Sequence, residues 1–177
     1  MADTTPYVGL SPSRLTELIN QDNNSNLQLG VDFTFGAPSG YSDAQGRNTQ
    51  VTMTPVPGTN WPKPETVHYT RLALTILNDL PVGWVQPVAI PSIPFTLANL
   101  LDRINVALGI NLTQDEIVNT VYTTPQSSYR LPINESISLA WIDSDYEFPA
   151  SLPGGDIPLA QAITNNVLNG LTYLQPA

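Results

Sequence analysis

The side chains that could do chemistry are few, and they sit far apart in the chain. His68 is the only histidine, and there is no cysteine. Any Ser-His-Asp triad, imidazole acid–base step or histidine-rich metal site would therefore have to use His68, which lies between Val67 and Tyr69 in a run that reads as a strand. No nucleophile-elbow string accompanies it, so the simpler reading is a polar face or an interface. The densest acidic group is Asp143-Ser144-Asp145-Tyr146-Glu147. Its alternating carboxylates resemble the opening of a calcium loop, but the central glycine and distal bidentate glutamate are missing, and a solvated strand end is the plainer alternative. Two of these carboxylates could instead serve as acid and base in glycoside hydrolysis, which requires separations of about 5 to 9.5 Å that a sequence cannot supply. Gly154-Gly155 has neither dinucleotide nor P-loop spacing. On this reading there are no catalytic residues, no cofactor and no metal.

Binding is better represented. Trp61, Trp84 and Trp141, with Tyr7, Tyr41, Tyr129 and Tyr173, are large amphipathic anchors. Trp141 alternates with Ile137 and Leu139 and belongs to a core. Trp61 lies in the proline-stiffened loop Gly58 to Pro64, which makes it the best surface candidate, with Tyr41 and Tyr173 beside it as possible interaction residues.

Elements that could position these groups follow from periodicity. Ser11 as N-cap with Pro12 at the first helical position opens a short helix to Asn20, with Leu15, Leu18 and Ile19 on one face. Val31, Phe33 and Phe35 alternate as a strand, residues 37–48 read as an exposed loop, and 49–55 form a second strand stopped by proline. Residues 66–77 make the longest strand-like run, with Leu72, Leu74 and Ile76 facing one way. Val82 to Ile90 is expected to be extended because Pro81, Pro87 and Pro91 oppose helix. Residues 97–108 form the clearest helix, capped by Thr96 and Gly109. Thr113-x-x-Glu116 is a capping box that should start a second short helix. Residues 118–123 and 136–142 complete the strands, and 157–168 is helix or extended tail.

One pattern recurs. Leu15-x-x-Leu18-Ile19-Asn20, Asn26-Leu27, Asp32 resembles Leu97-x-x-Leu100-Leu101-Asp102, Asn111-Leu112, Asp115, with three residues added in the second copy. The expected fold is α+β: a mainly antiparallel β-sandwich or sheet with one or two short helices packed at one end. A single domain spans 11–150, between an N-terminal tail (1–10) and a C-terminal tail or short helix (151–177).

Composition narrows the partners. Six Lys and Arg against fifteen Asp and Glu give a net charge of −9, which repels phosphate backbones and anionic membranes. No apolar stretch reaches the roughly 20 residues of a spanning helix, and the first residues lack a signal peptide's basic and apolar regions. Asn23, Asn111 and Asn134 head glycosylation sequons that carry no weight without such a leader. With 12% charged residues and abundant Pro, Thr, Asn and Ser, the surface suits contact with other protein.

Several strings taken in order carry a resemblance: Leu15-x-x-Leu-Ile-Asn, Val31-Asp-Phe-Thr-Phe, Val51-Thr-Met-Thr-Pro-Val-Pro-Gly, Val67-His-Tyr-Thr-Arg-Leu-Ala-Leu, Leu100-Leu-Asp-Arg-Ile-Asn with Asn111-Leu-Thr, and Tyr146-Glu-Phe-Pro-Ala. Over roughly residues 10 to 150 the chain resembles a domain family of virion structural proteins from giant tailed bacteriophages. The resemblance implies a non-enzymatic structural protein of the virion, in head, tail or baseplate, whose partners are other virion proteins including copies of itself. It implies no catalytic residues. A carbohydrate- or receptor-binding module of a tail or fibre, using Trp61 and Tyr41, is the alternative, and a hydrolase using Asp143, Asp145 or Glu147 ranks below both.

Overall fold

The computed structural model describes residues 9–81 and 83–152. The expectations for the tails at 1–8 and 153–177, including the helix at 157–168, and for Val82 and Tyr173 lie outside the described residues. The fold is α+β with mostly antiparallel pairing. Helix α1 (Ser11–Asn23) precedes strands β1 (Phe33–Phe35), β2 (Ser39–Gly40), β3 (Thr49–Pro55) and β4 (Glu65–Tyr69). In this sheet β3 is central, pairing antiparallel with β1 and β2 along one edge and with β4 along the other. Thr49, Val51 and Met53 point inward, and Val51 and Met53 join Leu15, Ile19, Phe33, Tyr69 and Leu139 in a small apolar cluster.

The long strand expected over 66–77 ends early. After β4 the chain makes a two-residue strand, β5 (Leu72–Ala73), and then a 3₁₀ turn over Leu74–Asp79. A three-residue period places Leu74 and Leu77 on one buried side and leaves Ile76 exposed. The extended segment expected over 82–90 contributes only β6 (Val88–Ala89) as strand. Strand β7 (Phe95–Thr96) leads into α2 (Leu97–Leu108), whose cap residues are those expected: Thr96 Oγ1 accepts from the Asn99 N–H at 3.4 Å, and Gly109 takes the left-handed φ of 65°. The capping box at Thr113 forms, but the helix it should open is a three-residue 3₁₀ turn, Gln114–Glu116. Glu116 faces inward, and Ile117 is already extended and bridged to Ile133. Strands β8 (Val121–Tyr122), β9 (Ser128–Arg130), β10 (Trp141–Ile142) and β11 (Glu147–Ser151) follow. The strand expected over 136–142 shrinks to β10 because the amides of Ile137 and Ser138 both turn back to Asn134 O. Antiparallel β7–β8 and β9–β11 pairs and parallel β5–β10 and β6–β11 pairs surround a larger cluster under α2.

The recurring sequence pattern is a structural repeat, in a register that differs from the one expected. Asn20 and Asn105, 85 residues apart, each clamp the backbone of a leucine seven residues on. Asn20 Nδ2 donates to Leu27 O at 2.9 Å while the Leu27 N–H donates to Oδ1 at 2.8 Å; the distances at Asn105 and Leu112 are 2.8 and 2.9 Å. Each helix ends on a left-handed residue, Asn24 or Gly109, the two types that tolerate that conformation. Past each clamp a carboxylate caps the turn: Asp32 accepts from the Gln28 N–H and Glu116 from the Thr113 N–H. No extra residues separate the copies between Leu15 and Leu27. In sequence Leu15, Ile19, Asn20, Asn26 and Leu27 align in order with Leu100, Ile104, Asn105, Asn111 and Leu112.

A buried polar seam joins the two units. The Arg71 guanidinium, 5% exposed, donates to Thr49 Oγ1 at 2.9 Å and to the carbonyls of Glu135 and Ser138 at 2.7 and 2.8 Å. Burial lowers its pKa, against the opposing influence of Tyr69 and Glu135. Ser138 Oγ in turn donates to Glu116 Oε1 at 2.9 Å, and the Ser11 hydroxyl donates to the same oxygen. Ser11 was expected to cap α1; it is instead the first helical residue, with Leu10 at the cap position, and its hydroxyl crosses to the other unit. Among the described residues no helix is long and apolar enough to cross a membrane.

Two outcomes follow from these contacts. Arg71→Leu leaves two buried carbonyls without their charged donor, and should cost about 2–4 kcal/mol in a denaturant melt, whereas Asn105→Ala should cost about 1–3 kcal/mol. Desolvation works to raise the pKa of Asp43, but the Arg47 amide and guanidinium and the Gln45 amide outweigh it and hold the carboxyl below its ordinary value. A carboxyl lowered on folding stabilises above its unfolded value of 3.8 and loses that contribution as pH falls through the folded one. The melting difference between wild type and Asp43→Asn is therefore expected at pH 7 and should close below about pH 4.

Candidate interaction surface

Of the sequence candidates, Trp61 is the one the fold builds into a site. The loop between β3 and β4 turns at Gly58, whose φ of 92° suits glycine, and its prolines at 62 and 64 hold the indole out at 52% exposure. Beneath it is a small cavity of about 120 Å³ walled by Leu27, Phe33, Met53 and Pro55. Asp32, Lys63 and Glu65 stand around it, so an apolar floor meets a charged rim. An engineered cavity of about 150 Å³ holds benzene, which puts this one at the size of a single apolar side chain.

Tyr41 does not share that site. Its ring stacks on His68 with centroids 4.0 Å apart and planes 31° from parallel. His68 pairs with Gln50, whereas Trp61 closes over Met53, three residues along β3 and on its inward side. The two aromatics are thus about 10 Å apart along the strand and on opposite faces. The only imidazole in the sequence is stacked on a tyrosine ring. Tyr173 is outside the described residues.

Two carboxylates of the acidic run meet at one guanidinium, that of Arg130. Asp143 accepts from Arg130 at 2.7 Å and from the Ile133 N–H at 3.0 Å. Asp145 is 98% exposed and 3.4 Å from Arg130, and Glu147 accepts from the Ser128 hydroxyl. Among the described residues no three His, Asp or Glu side chains converge as a metal site.

Two features escaped sequence reasoning. One is the seam of Arg71, Ser138 and Glu116, whose signal was a lone arginine inside an apolar run. The other is an open groove of about 330 Å³ between α1 and the end of β4, lined by Arg14, Leu15, Leu18, Tyr69, Leu72 and Leu139. Leu18, expected on the apolar face of α1, is 44% exposed on this groove. Tyr69 is 8% exposed and its hydroxyl has no hydrogen-bond partner among the described residues; burial pushes its pKa up to about 12, partly countered by Arg71.

No curated protein and no solved structure matches the chain. A family described only as a family of unknown function matches residues 6–177, and so takes in both repeat units and the segment after β11. The chain belongs to that family, DUF7941.

Proposed function

We propose that this protein is a structural component of a tailed-phage virion that acts through protein–protein contacts, with copies of itself among its partners. The observation that carries this reading is the Trp61 cleft, a rigid aromatic over an apolar pocket with a charged rim, which is the form an anchoring contact takes at protein interfaces. It is supported by the resemblance to virion proteins along residues 10 to 150 and by a surface on which Leu10, Leu18, Val31, Trp84, Val106 and Ile137 stand exposed on a sparsely charged chain. Asp143 and His68 are engaged in local contacts, the one with Arg130 and the Ile133 amide, the other with the Tyr41 ring.

A second reading has one observation in its favour. An exposed indole flanked by Asp32 and Glu65 is also a platform on which a sugar ring stacks while its hydroxyls meet carboxylates. That module would rest on Trp61 alone, since Tyr41 lies elsewhere.

Mass spectrometry of purified particles should find the protein at structural copy number, and its absence from them sinks the virion reading. Trp61→Ala, at an exposed position, should leave the melting temperature within about 2 °C of wild type. It should also reduce incorporation into particles; unchanged incorporation together with lost binding on a glycan array would favour the sugar-binding reading.

A further inference from the structure

The rim of the Trp61 cleft says what kind of side chain its floor would take. Two carboxylates, Asp32 and Glu65, stand there with one ammonium, that of Lys63, so the rim carries one more negative than positive charge. Asp32 caps its turn through Oδ2, which accepts from the Gln28 N–H. Glu116, which closes the matching turn of the second unit, is occupied on both oxygens by Ser11, Ser138 and Thr113. At Asp32, by contrast, no hydrogen bond to Oδ1 is made among the described residues. Among the same residues neither Glu65 nor Lys63 joins an ion pair.

An occupant has to suit both the apolar floor and this rim. A leucine or phenylalanine would fill the floor but take water from two carboxylates and give them nothing in exchange. An acidic side chain meets an excess of like charge. An arginine answers both parts: its aliphatic stem lies on apolar surface while the guanidinium stays at the rim, donating to carboxylates and stacking on the indole. Arginine is also enriched at protein interfaces, where lysine is depleted.

That arginine does not come from a second copy of this chain. Of the six Lys and Arg, Arg14, Arg47 and Arg130 are paired with carboxylates, Arg71 is buried in the seam, Arg103 donates to Ala89 O, and the sixth is Lys63 of the cleft itself. A copy with net charge −9 would also approach the rim as like charge to like charge. We propose that the Trp61 cleft is a docking site for an arginine side chain of a different, basic protein, with the stem over Phe33, Met53 and Pro55 and the guanidinium between Trp61, Asp32 and Glu65. The proposal rests on the reading of this cleft as an anchoring contact, names the chemistry of the partner, and leaves self-association to other surfaces.

Titration of the full-length protein with Nα-acetyl-arginine amide, followed by NMR at the Trp61 indole N–H, tests it; Trp61→Phe identifies that signal by removing it. The arginine probe should shift the signal saturably. The corresponding norleucine and citrulline amides, which keep the stem and lack the cation, should bind about tenfold more weakly. Glu65→Gln should weaken arginine binding about twofold to fivefold, and Lys63→Gln should tighten it by a similar factor. No saturable shift with arginine, norleucine binding as tightly as arginine, or weaker arginine binding in Lys63→Gln overturns the inference. Incorporation of Trp61→Ala into particles is measured apart from these titrations. A cleft that anchors an apolar side chain therefore fails here while the anchoring contact stands, and a cleft without a role in the particle fails there.

Discussion

An arginine can be buried only where enough acceptors meet it, and in this protein that condition fixes the relation between two half-structures. The carbonyls of Glu135 and Ser138 and the hydroxyl of Thr49 take the donors of Arg71, and the Glu135 carboxylate adds a Coulombic attraction. The carbonyls come from the second unit and Thr49 from the first, so the two cores cannot separate without stranding a cation. Ser138 carries the connection onward to Glu116, where Ser11 and Thr113 also converge. A carboxylate with these four donors is a fully occupied structural group, which explains why a capping box that would ordinarily start a helix yields a single 3₁₀ turn. The acid is held in place from three directions before a helix can propagate.

The repeated unit is economical in sequence. One asparagine per copy fixes the exit of a helix by holding the backbone of a leucine, and one acid per copy closes the following turn. Between these fixed points the copies have diverged in ways that follow from their surroundings. Asn24 and Gly109 both accept the left-handed conformation, while Ser25 and Ile110 after them differ with exposure. The larger divergence is in what covers the sheet edge beside each helix. The second unit is closed by a strand of the same chain and supports a core containing Phe95, Tyr129, Tyr146 and Phe148. The first has a smaller core, with Leu15 and Tyr69 lining an open groove.

Most charged and hydrogen-bonding side chains with known contacts here hold local structure. Asp43 organises its loop through Arg47 and Gln45, Asp143 joins Arg130 to the Ile133 amide, and Glu135 accepts from the Asp143 amide. Apolar side chains stand exposed at Trp61 and, on α1, at Leu18.

Local rules made much of this legible in the sequence. Helix α2, its two caps, the strand at 49–55 and the chain's α+β character follow from periodicity and capping chemistry, which act within a few residues and are present in the string itself. The prolines around Trp61 likewise marked it as a surface residue, and it is one. The end of the long strand at Tyr69 was not legible, because what ends it is Arg71 reaching acceptors more than 60 residues away. Nor was the separation of Tyr41 from Trp61, which depends on strand register and on which face of the sheet each loop crosses. The repeat was visible as a pattern, but its register was set by hydrogen bonds that only the folded backbone can make. Sequence determined the local elements because their causes are local; tertiary structure decided the seam, the groove and the placing of every candidate site, because those depend on burial shared between segments distant in the chain.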